Sequence, residues 1–451
     1  MKFYVIGISD APNPQLSPEA LAVVGHGRVF SGGRRHHALV AHLLPTEAVW
    51  IDITAPLEAV FAQYERMDTD VVVFASGDPL FFGFANTIRR FMPAAAVQLF
   101  PTFNSLQLLA HRLVLPYHDM RIVSLTGRPW PELDRALIER APKIGVLTDG
   151  EHTPAAIARR MLDYGYTTYR MHVGEHLGHP AQEHVSTLPL QEAALQHFDM
   201  PNCLILEATQ TLSPRPFGIP DTAFSLLDGR EKMITKMPIR LLSLQMLDLP
   251  SRHVLWDIGA CTGSISIEAR LRFPHLQVEA FEIRPECEAI IHDNARRFGA
   301  PGIGVHIGDF LESGEEWNAD IGIPQATAPT SHSSSVIRHS SFPISHSSFP
   351  ISHSSFVISH SSSLPPDAIF IGGHGGCLKE MMARAVSCLQ PGGIIVMNSV
   401  TSAVVTQATG HRPSSRQLWD EACHELGLQQ EAPLHIQLND YNPIEILKCR
   451  K

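Results

Sequence analysis

The sequence predicts an α/β protein of two domains, the second built on a Rossmann-like seven-stranded sheet. Three observations carry this. A chain of 451 residues is too long for one ordinary core. Short apolar runs bounded by glycine or proline alternate with helically periodic stretches in both halves. Residues 254–282, V-L-W-D-I-G-A-C-T-G-S-I-S-I-E-A-R-L-R-F-P-H-L-Q-V-E-A-F-E, read as strand, turn, helix and strand, the unit that opens a parallel sheet.

The first strand of that unit, 254–258, ends in the turn Gly259-Ala260-Cys261-Thr262-Gly263. Ile265, Ile267, Ala269 and Leu271 follow at apolar-periodic spacing, and the run 278–281 closes on Glu282. The glycines let the backbone pass close under a ligand. An acid at the tip of the second strand, about 20 residues on, suits a ribose diol. A G-x-G-x-x-G turn is missing, so a pyrophosphate has no helix-N-terminal cradle. A ligand with a nucleoside but no phosphate fits better, and S-adenosylmethionine is the common one. Asp257 and the turn residues Gly259, Ala260, Cys261, Thr262 and Gly263 would then hold its amino-acid end, and Glu282 its ribose. The alternative is an ordinary doubly wound unit whose glycines only allow tight packing. Methyl transfer is the working expectation.

Composition narrows the class. The formal charge of −10 argues against a nucleic-acid surface. No apolar run approaches the roughly 20 residues that span a bilayer. Residues 3–8, F-Y-V-I-G-I, are too short for a signal-peptide core and read as a first strand. The seven cysteines, Cys203 to Cys449, include no C-x-x-C pair. Reduced thiols in a cytoplasm are expected, rather than a disulfide frame or a zinc site.

In the N-terminal half, residues 2–8 form a buried strand ending near Gly7. Ser17-Pro18-Glu19 then starts a helix, with serine as cap and proline in the first turn. A second strand, 29–33, runs into Arg34-Arg35-His36-His37. A third, 70–74, ends in A-S-G-D-P-L-F-F-G, where Gly77 permits an unusual backbone angle and Pro79 stops the strand. Asp78 is thereby displayed at a strand's carboxyl end, where α/β sheets hold ligands; its alternative role is to form the turn into the next helix. Further strands are expected at 97–100, 121–125, 143–148 and 202–207, with helices between them. Residues 102–113 have helical periodicity with a polar entry. Residues 147–160 give a strand, a turn and a helix capped by Thr153 with Pro154 first.

The segments G-I-S-D-A-P, L-S-P-E-A-L, S-G-G-R-R-H, A-S-G-D-P-L-F-F-G, N-S-L-Q-L-L-A, V-S-L-T-G-R-P and L-T-D-G-E-H-T-P-A-A-I-A resemble, in order over residues 1 to about 208, the tetrapyrrole (corrin/porphyrin) methylase superfamily. Within it they are most similar to the carbon-5 methylating subunit of cobalamin synthesis. The resemblance implies two α/β lobes with S-adenosylmethionine in the cleft between them. It implies that Gly7, the Gly77-Asp78-Pro79 loop and the Asn104-Ser105 loop line that cleft. Thr126 stands where that subunit has histidine, and the early glycine-rich loop is reduced to Gly7. Arg34, Arg35 and Arg128 are candidates for substrate carboxylates, or else solvated charges at helix starts.

Residues 209–220 form a proline-rich joint, which places the domain boundary near 212: residues 1–211 and 212–451. Beyond Glu282 come a helix at about 286–297, strands at 303–307, 367–371 and 394–399, and two last strands near 434–438 and 444–448. G-I-P-D, I-T-K, D-I-G-A-C-T-G-S-I-S-I-E, E-I-R-P, G-D, F-I-G-G-H-G-G and N-S-V-T resemble the carbon-15 methylating, decarboxylating subunit of the same pathway. The resemblance implies cofactor contacts from Thr235, the 259–263 turn, Glu282, Asp309 and Phe310. Cys261 stands where that family has glycine, and its side chain would narrow the pocket. His374 and Asn398 are the candidate catalytic residues on strand-end loops, with turn formation as the alternative. Lys236 and Arg240 are candidate anchors for substrate carboxylates, or exposed surface charges.

From Thr330 five seven-residue units of the form I-S-H-S-S-F-P follow one another. Serine-rich units without charged flanking positions argue against a coiled coil. Histidine without acidic or cysteine partners argues against a metal tract. A disordered surface loop over about 326–364 is expected. The two resemblances together imply methylation of a precorrin-6 type tetrapyrrole at carbons 5 and 15, with decarboxylation of the ring C acetate. One S-adenosylmethionine would serve each domain, and no metal is required of the protein. The expected partner is the tetrapyrrole substrate, with no nucleic acid, no membrane and a homo-oligomeric assembly. The alternative is that only the N-terminal domain is active and the interrupted half binds or scaffolds. A nucleic-acid methyltransferase would show an Asn/Asp-Pro-Pro-aromatic tetrad and a basic face, where this chain has I-G-G-H-G-G and an acidic balance.

Overall fold

A computed structural model describes residues 1–67, 69–211, 213–312, 364–400, 413–438 and 442–451. The expected domain boundary at 212, Thr401 of the N-S-V-T motif and nearly all of the repeat insertion lie outside them. Three sheets organise the described residues. The first holds β1 (Lys2–Ile8), β2 (Val29–Gly32), β3 (Val49–Asp52), β4 (Val71–Ser76) and β5 (Ala96–Phe100), in the order β3-β2-β4-β1-β5. All its pairings are parallel. Alternate residues feed opposite faces. Phe3, Val5, Val71 and Val73 pack with Phe61, Tyr64 and Ile88 on one side. Ile6, Ile8, Val72 and Phe74 pack with Ala20 and Val24 on the other. Both faces are covered by helices, and the inner strands β1, β2 and β4 are accordingly buried over most of their length.

The second sheet holds β6 (Arg121–Ser124), β7 (Lys143–Leu147), β8 (Tyr169–Glu175), β9 (His184–Pro189) and β10 (Asn202–Ala208), in the order β6-β7-β10-β8-β9. Only β6 and β7 run parallel; the other pairings are antiparallel. The expectation of helices throughout 148–202 is corrected here. The helix Pro154–Asp163 forms as expected, with Thr153 Oγ1 accepting the Ala156 N–H at 3.2 Å. The hairpin β8–β9 follows it, and β3 is a further strand absent from the sequence reading. These strands carry arginine, histidine and aspartate among their apolar residues, which blurs the apolar runs that betray buried strands.

The third sheet holds β11 (Val254–Ile258), β12 (Gln277–Glu282), β13 (Ile303–Ile307), β14 (Ala368–Ile371), β15 (Ile394–Val400), β16 (Gln429–Gln430), β17 (Leu434–Ile436) and β18 (Ile444–Arg450). The order is β13-β12-β11-β14-β15-β18-β16, with β17 also on β18. β16 pairs with Cys449 and Arg450, and β17 with residues 444–446 of the same strand. The two short strands therefore share one edge position, which leaves the seven positions expected. β18 alone among the long strands runs antiparallel, to β15. β11 is buried at every residue, as a central parallel strand must be.

The two halves touch through the end of the helix Glu286–Phe298. Tyr166 of the N-terminal half donates its O–H to Gly299 O at 2.7 Å. Arg215 of the joint donates to Phe298 O at 2.8 Å and to the Tyr166 hydroxyl at 3.0 Å. Helix-terminal carbonyls that lack an intrahelical donor are thereby satisfied from outside. No helix among the described residues is long and apolar enough to cross a membrane.

Candidate active sites

The first site lies where β1 and β4 end side by side, Gly7 opposite Ala75 and Ile8 opposite Ser76. A Cβ on Gly7 would sit 1.8 Å from Gly77 O, and one on Gly77 would sit 2.7 Å from Asn104 Cα. Gly77 has φ +61°, a conformation glycine adopts without cost. The expected residues Gly7, Gly77-Asp78-Pro79 and Asn104-Ser105 are thus brought together backbone to backbone, with no room for side chains between them. Asp78 Oδ1 accepts the Leu80 N–H at 2.8 Å, so this oxygen forms the turn. Ser105 opens the helix Ser105–Leu113, which Asn104 caps in a box with Gln107.

The three arginines separate. Arg34 is exposed at the start of its helix. Arg35 pairs with Asp10 and donates to Ser76 Oγ at 2.8 Å, so its guanidinium is already engaged at the mouth of the cleft. Arg128, after β6 in the second lobe, lies 5.0 Å from the ring centre of Phe82 in the first. Both of these are exposed, which leaves a cation–π pair facing solvent across the two lobes. Thr126 donates to Thr148 O at 3.1 Å.

The second site is the turn after β11. Gly259 has φ +78°, and a Cβ there would meet Gly373 N at 2.8 Å; one on Gly372 would meet Gly259 O at 2.9 Å. The glycine pair after β14 therefore exists to let two strand-end turns touch. Gly263, φ +71°, caps the helix Ser264–Arg272 and abuts Ile291. Ala260 is buried, and the Gly263 N–H donates to its carbonyl at 2.8 Å. Asp257 Oδ2 accepts from the Ser266 N–H at 3.1 Å and hydroxyl at 2.6 Å. Asp257 Oδ1 and Thr262 Oγ1 are buried without a partner among the described residues. Unpaired buried polar atoms are costly and point to a ligand. A carboxylate oxygen at the end of β11 and a hydroxyl in the glycine turn that follows fit the ammonium and carboxylate of an amino-acid tail. Burial pushes the Asp257 carboxyl up to about 6, against the pull of Ser266.

Cys261 stands at φ +50°, which explains why glycine suits this position. Its side chain packs with Leu227 and Cys287. Glu282 accepts four N–H donors. Oε1 takes the Arg284 backbone and Nε at 3.1 and 2.8 Å; Oε2 takes Cys261 N and Arg284 Nη2 at 2.7 and 3.1 Å. That fills the acceptor sites of a carboxylate, so a ribose would reach Glu282 only by displacing Arg284. Asp309 Oδ1 accepts the Leu311 N–H at 2.9 Å. Phe310 lies in the core, its ring 5.4 Å from that of Phe281. Only their turn, not the Phe310 ring, is open to a ligand.

Several expectations change. Arg240 is a core residue and not a substrate anchor. It is fully buried, with Nε on Glu268 at 3.1 Å and Nη1 on Asp221 at 3.2 Å and Thr235 O at 2.7 Å. It ties G-I-P-D and I-T-K to the helix Met237–Met246 and holds Thr235 by its carbonyl. Lys236 starts that helix half-buried, with Nζ on Glu231 O at 2.9 Å. His374 uses both ring nitrogens: Nδ1 accepts the Gly376 N–H at 3.2 Å and Nε2 donates to Ser415 Oγ at 3.0 Å. It is a turn former. Asn398 lies within β15, not on a loop, and accepts from Ser243 Oγ at 2.9 Å, but its Nδ2 is buried without a partner among the described residues. Asn294 escaped the sequence reading. From inside the helix Glu286–Phe298 its Nδ2 donates to Thr262 O at 3.0 Å and so supports the 259–263 turn. Nothing in a helical stretch distinguishes such an asparagine.

Two glycine-built strand-end sites without a phosphate cradle fit an α/β protein that takes a nucleoside-bearing cofactor. Residues 2–194 match the family of tetrapyrrole (corrin/porphyrin) methylases, and residues 227–319 match the precorrin methyltransferase domain. The precorrin-6Y C(5,15)-methyltransferase [decarboxylating] of a Sinorhizobium species is 32% identical over 88% of this chain and 84% of its own. Two Salmonella typhimurium proteins match about half of the chain. The cobalt-precorrin-6B C(15)-methyltransferase (decarboxylating) is 27% identical over 50% of this chain and 93% of its own. The cobalt-precorrin-7 C(5)-methyltransferase is 28% identical over 45% and 98%. The chain belongs to the precorrin-6Y C(5,15)-methyltransferase (decarboxylating) family, S-adenosylmethionine-dependent C-methyltransferases of cobalamin biosynthesis.

Proposed function

We propose that residues 1–211 methylate carbon 5 of a precorrin-6 type tetrapyrrole. Residues 212–451 then methylate carbon 15 and remove the carboxyl of the ring C acetate, with one S-adenosylmethionine serving each domain. The family membership and the two half-length relatives support this division. The observation that carries it is the pair of bare buried atoms, Asp257 Oδ1 and Thr262 Oγ1, in a second glycine-built site separate from the first. Bound S-adenosylmethionine supplies a methyl already activated on sulfonium sulfur, so the chain needs no nucleophile of its own. Its residues have to orient the donor against an electron-rich ring carbon and exclude water. The macrocycle is the electron sink for decarboxylation, and the Arg128–Phe82 pair suits a flat, carboxylate-rich substrate at the first cleft. Titration with S-adenosylhomocysteine tests the division. Two sites per chain are expected, one of them lost in Asp257→Asn; a single site untouched by that change would contradict it.

A further inference from the structure

Five polar side chains meet where the two lobes of the N-terminal half face each other, and only Arg35 among them was singled out above as a candidate site residue. Asp10 follows β1, Arg35 and His36 follow β2, Ser76 ends β4, and His176 follows β8 of the second sheet. Asp10 Oδ1 takes the Arg35 guanidinium, and Asp10 Oδ2 accepts from His176 Nδ1 at 3.3 Å. The contact joins residues 166 apart in the chain and lies at strand carboxyl ends, beside the Gly7–Gly77 contact. His176 is held at φ +46°, an uncommon conformation for a side-chain-bearing residue and one that clusters at functional sites. Its N–H donates to Pro201 O at 2.9 Å.

The two histidines of the cluster differ. His36 accepts the Gly33 N–H on Nδ1 at 3.3 Å, so its Nε2 carries hydrogen and donates to Ser76 Oγ at 2.9 Å. Burial and the neighbouring Arg35 hold it down to about 3. It has no nitrogen left to take a proton. In His176 the Asp10 bond places the hydrogen on Nδ1, which leaves Nε2 the proton acceptor.

We propose that His176 accepts the proton released in the carbon-5 methylation, with Asp10 as its positioning residue. This rests on the reading of residues 1–211 as the carbon-5 methylase. The macrocycle's electron pair forms the new carbon–carbon bond to the methyl as the methyl–sulfur bond breaks, its pair staying on sulfur. The ring carbon then bears both methyl and hydrogen. Its C–H bond breaks, the pair returns to the conjugated system, and the proton goes to His176 Nε2. Asp10, fixed by Arg35, stabilises the imidazolium.

The test is His176→Asn in the full chain, because asparagine tolerates left-handed backbone. Substrates carrying hydrogen or deuterium at carbon 5 are used with S-adenosylmethionine labelled in its methyl, each product methyl being read by NMR. Carbon-5 methylation is expected to fall by about 10²-fold or more and to acquire a primary deuterium isotope effect. Affinity for S-adenosylhomocysteine, measured by calorimetry, is expected to be unchanged. Asp10→Asn should lower kcat with KM held. Carbon-5 methylation at the wild-type rate in His176→Asn would overturn the proposal. So would a loss that tracks weakened S-adenosylhomocysteine binding without an isotope effect, which marks a structural staple between lobes. Wild-type chain that methylates carbon 15 but never carbon 5 would instead overturn the reading beneath it.

Discussion

Ser266 binds one oxygen of Asp257 twice, through its N–H and its hydroxyl, and leaves the other oxygen buried and bare. Because burial raises the folded-state value to about 6, above the ordinary carboxylate range, the protonated form is favoured in the fold. This group's contribution to stability is full at low pH and is lost as pH rises through about 6. Asp257→Asn should therefore raise the melting temperature of the ligand-free chain at pH 7. Cofactor affinity at this site should strengthen as pH rises through the same range, since an ammonium needs the carboxylate. Thermal melting of the two ligand-free chains at pH 7 checks the first and a pH series of calorimetric titrations the second; a flat affinity profile would contradict the assignment.

Glu282 shares its acceptor sites between Arg284 and Cys261 N. If the ribose takes the place of Arg284, removing that competitor should tighten binding. Arg284 is partly exposed but Glu282 is buried, so the pair is worth at least the roughly 1 kcal/mol of a surface pair, and Arg284→Ala should lower the Kd for S-adenosylhomocysteine by about fivefold or more. Weaker binding in Arg284→Ala would mean that Glu282 does not hold the ribose.

Arg240 lies between Glu268 and Asp221 with its charge fully buried. Removing one partner of a buried pair costs about 3–5 kcal/mol. Arg240→Ala should destabilise the C-terminal half by that order in urea denaturation. Intact stability with a raised KM for tetrapyrrole would restore Arg240 as a substrate anchor.

Cys261 carries a side chain in a left-handed conformation but packs it against Leu227 and Cys287. Cys261→Gly relieves about 1 kcal/mol of backbone cost and loses a comparable packing contribution. Stability and cofactor affinity should both stay near wild type. A large gain in affinity would show that the thiol does narrow the pocket.

The unit from β11 to β12 was legible because a fully buried strand, a glycine turn and a periodic helix each leave a distinct pattern. Asp257, Gly259 and Gly263 could be read from it directly. Glu282 was legible as an acid at a strand tip, but its occupation by Arg284, two residues on, was not. Arg240 misled because sequence shows charge and not burial. Asn398 misled because N-S-V-T reads as a strand-end loop although the expected strand, 394–399, already holds Asn398; β15 runs to Val400. The hairpin β8–β9 stayed hidden behind its histidines and arginine, and with it the Asp10–His176 contact. That contact depends on the packing of two lobes, which no local pattern encodes.

The most direct measurement is the mass of the product formed from S-adenosylmethionine and the reduced precorrin-6 macrocycle. Gain of two methyls with loss of one carbon dioxide is the expected result, with both domains active in the chain as it stands. Gain of a single methyl with no carbon dioxide lost would contradict it and leave the C-terminal half without its reaction.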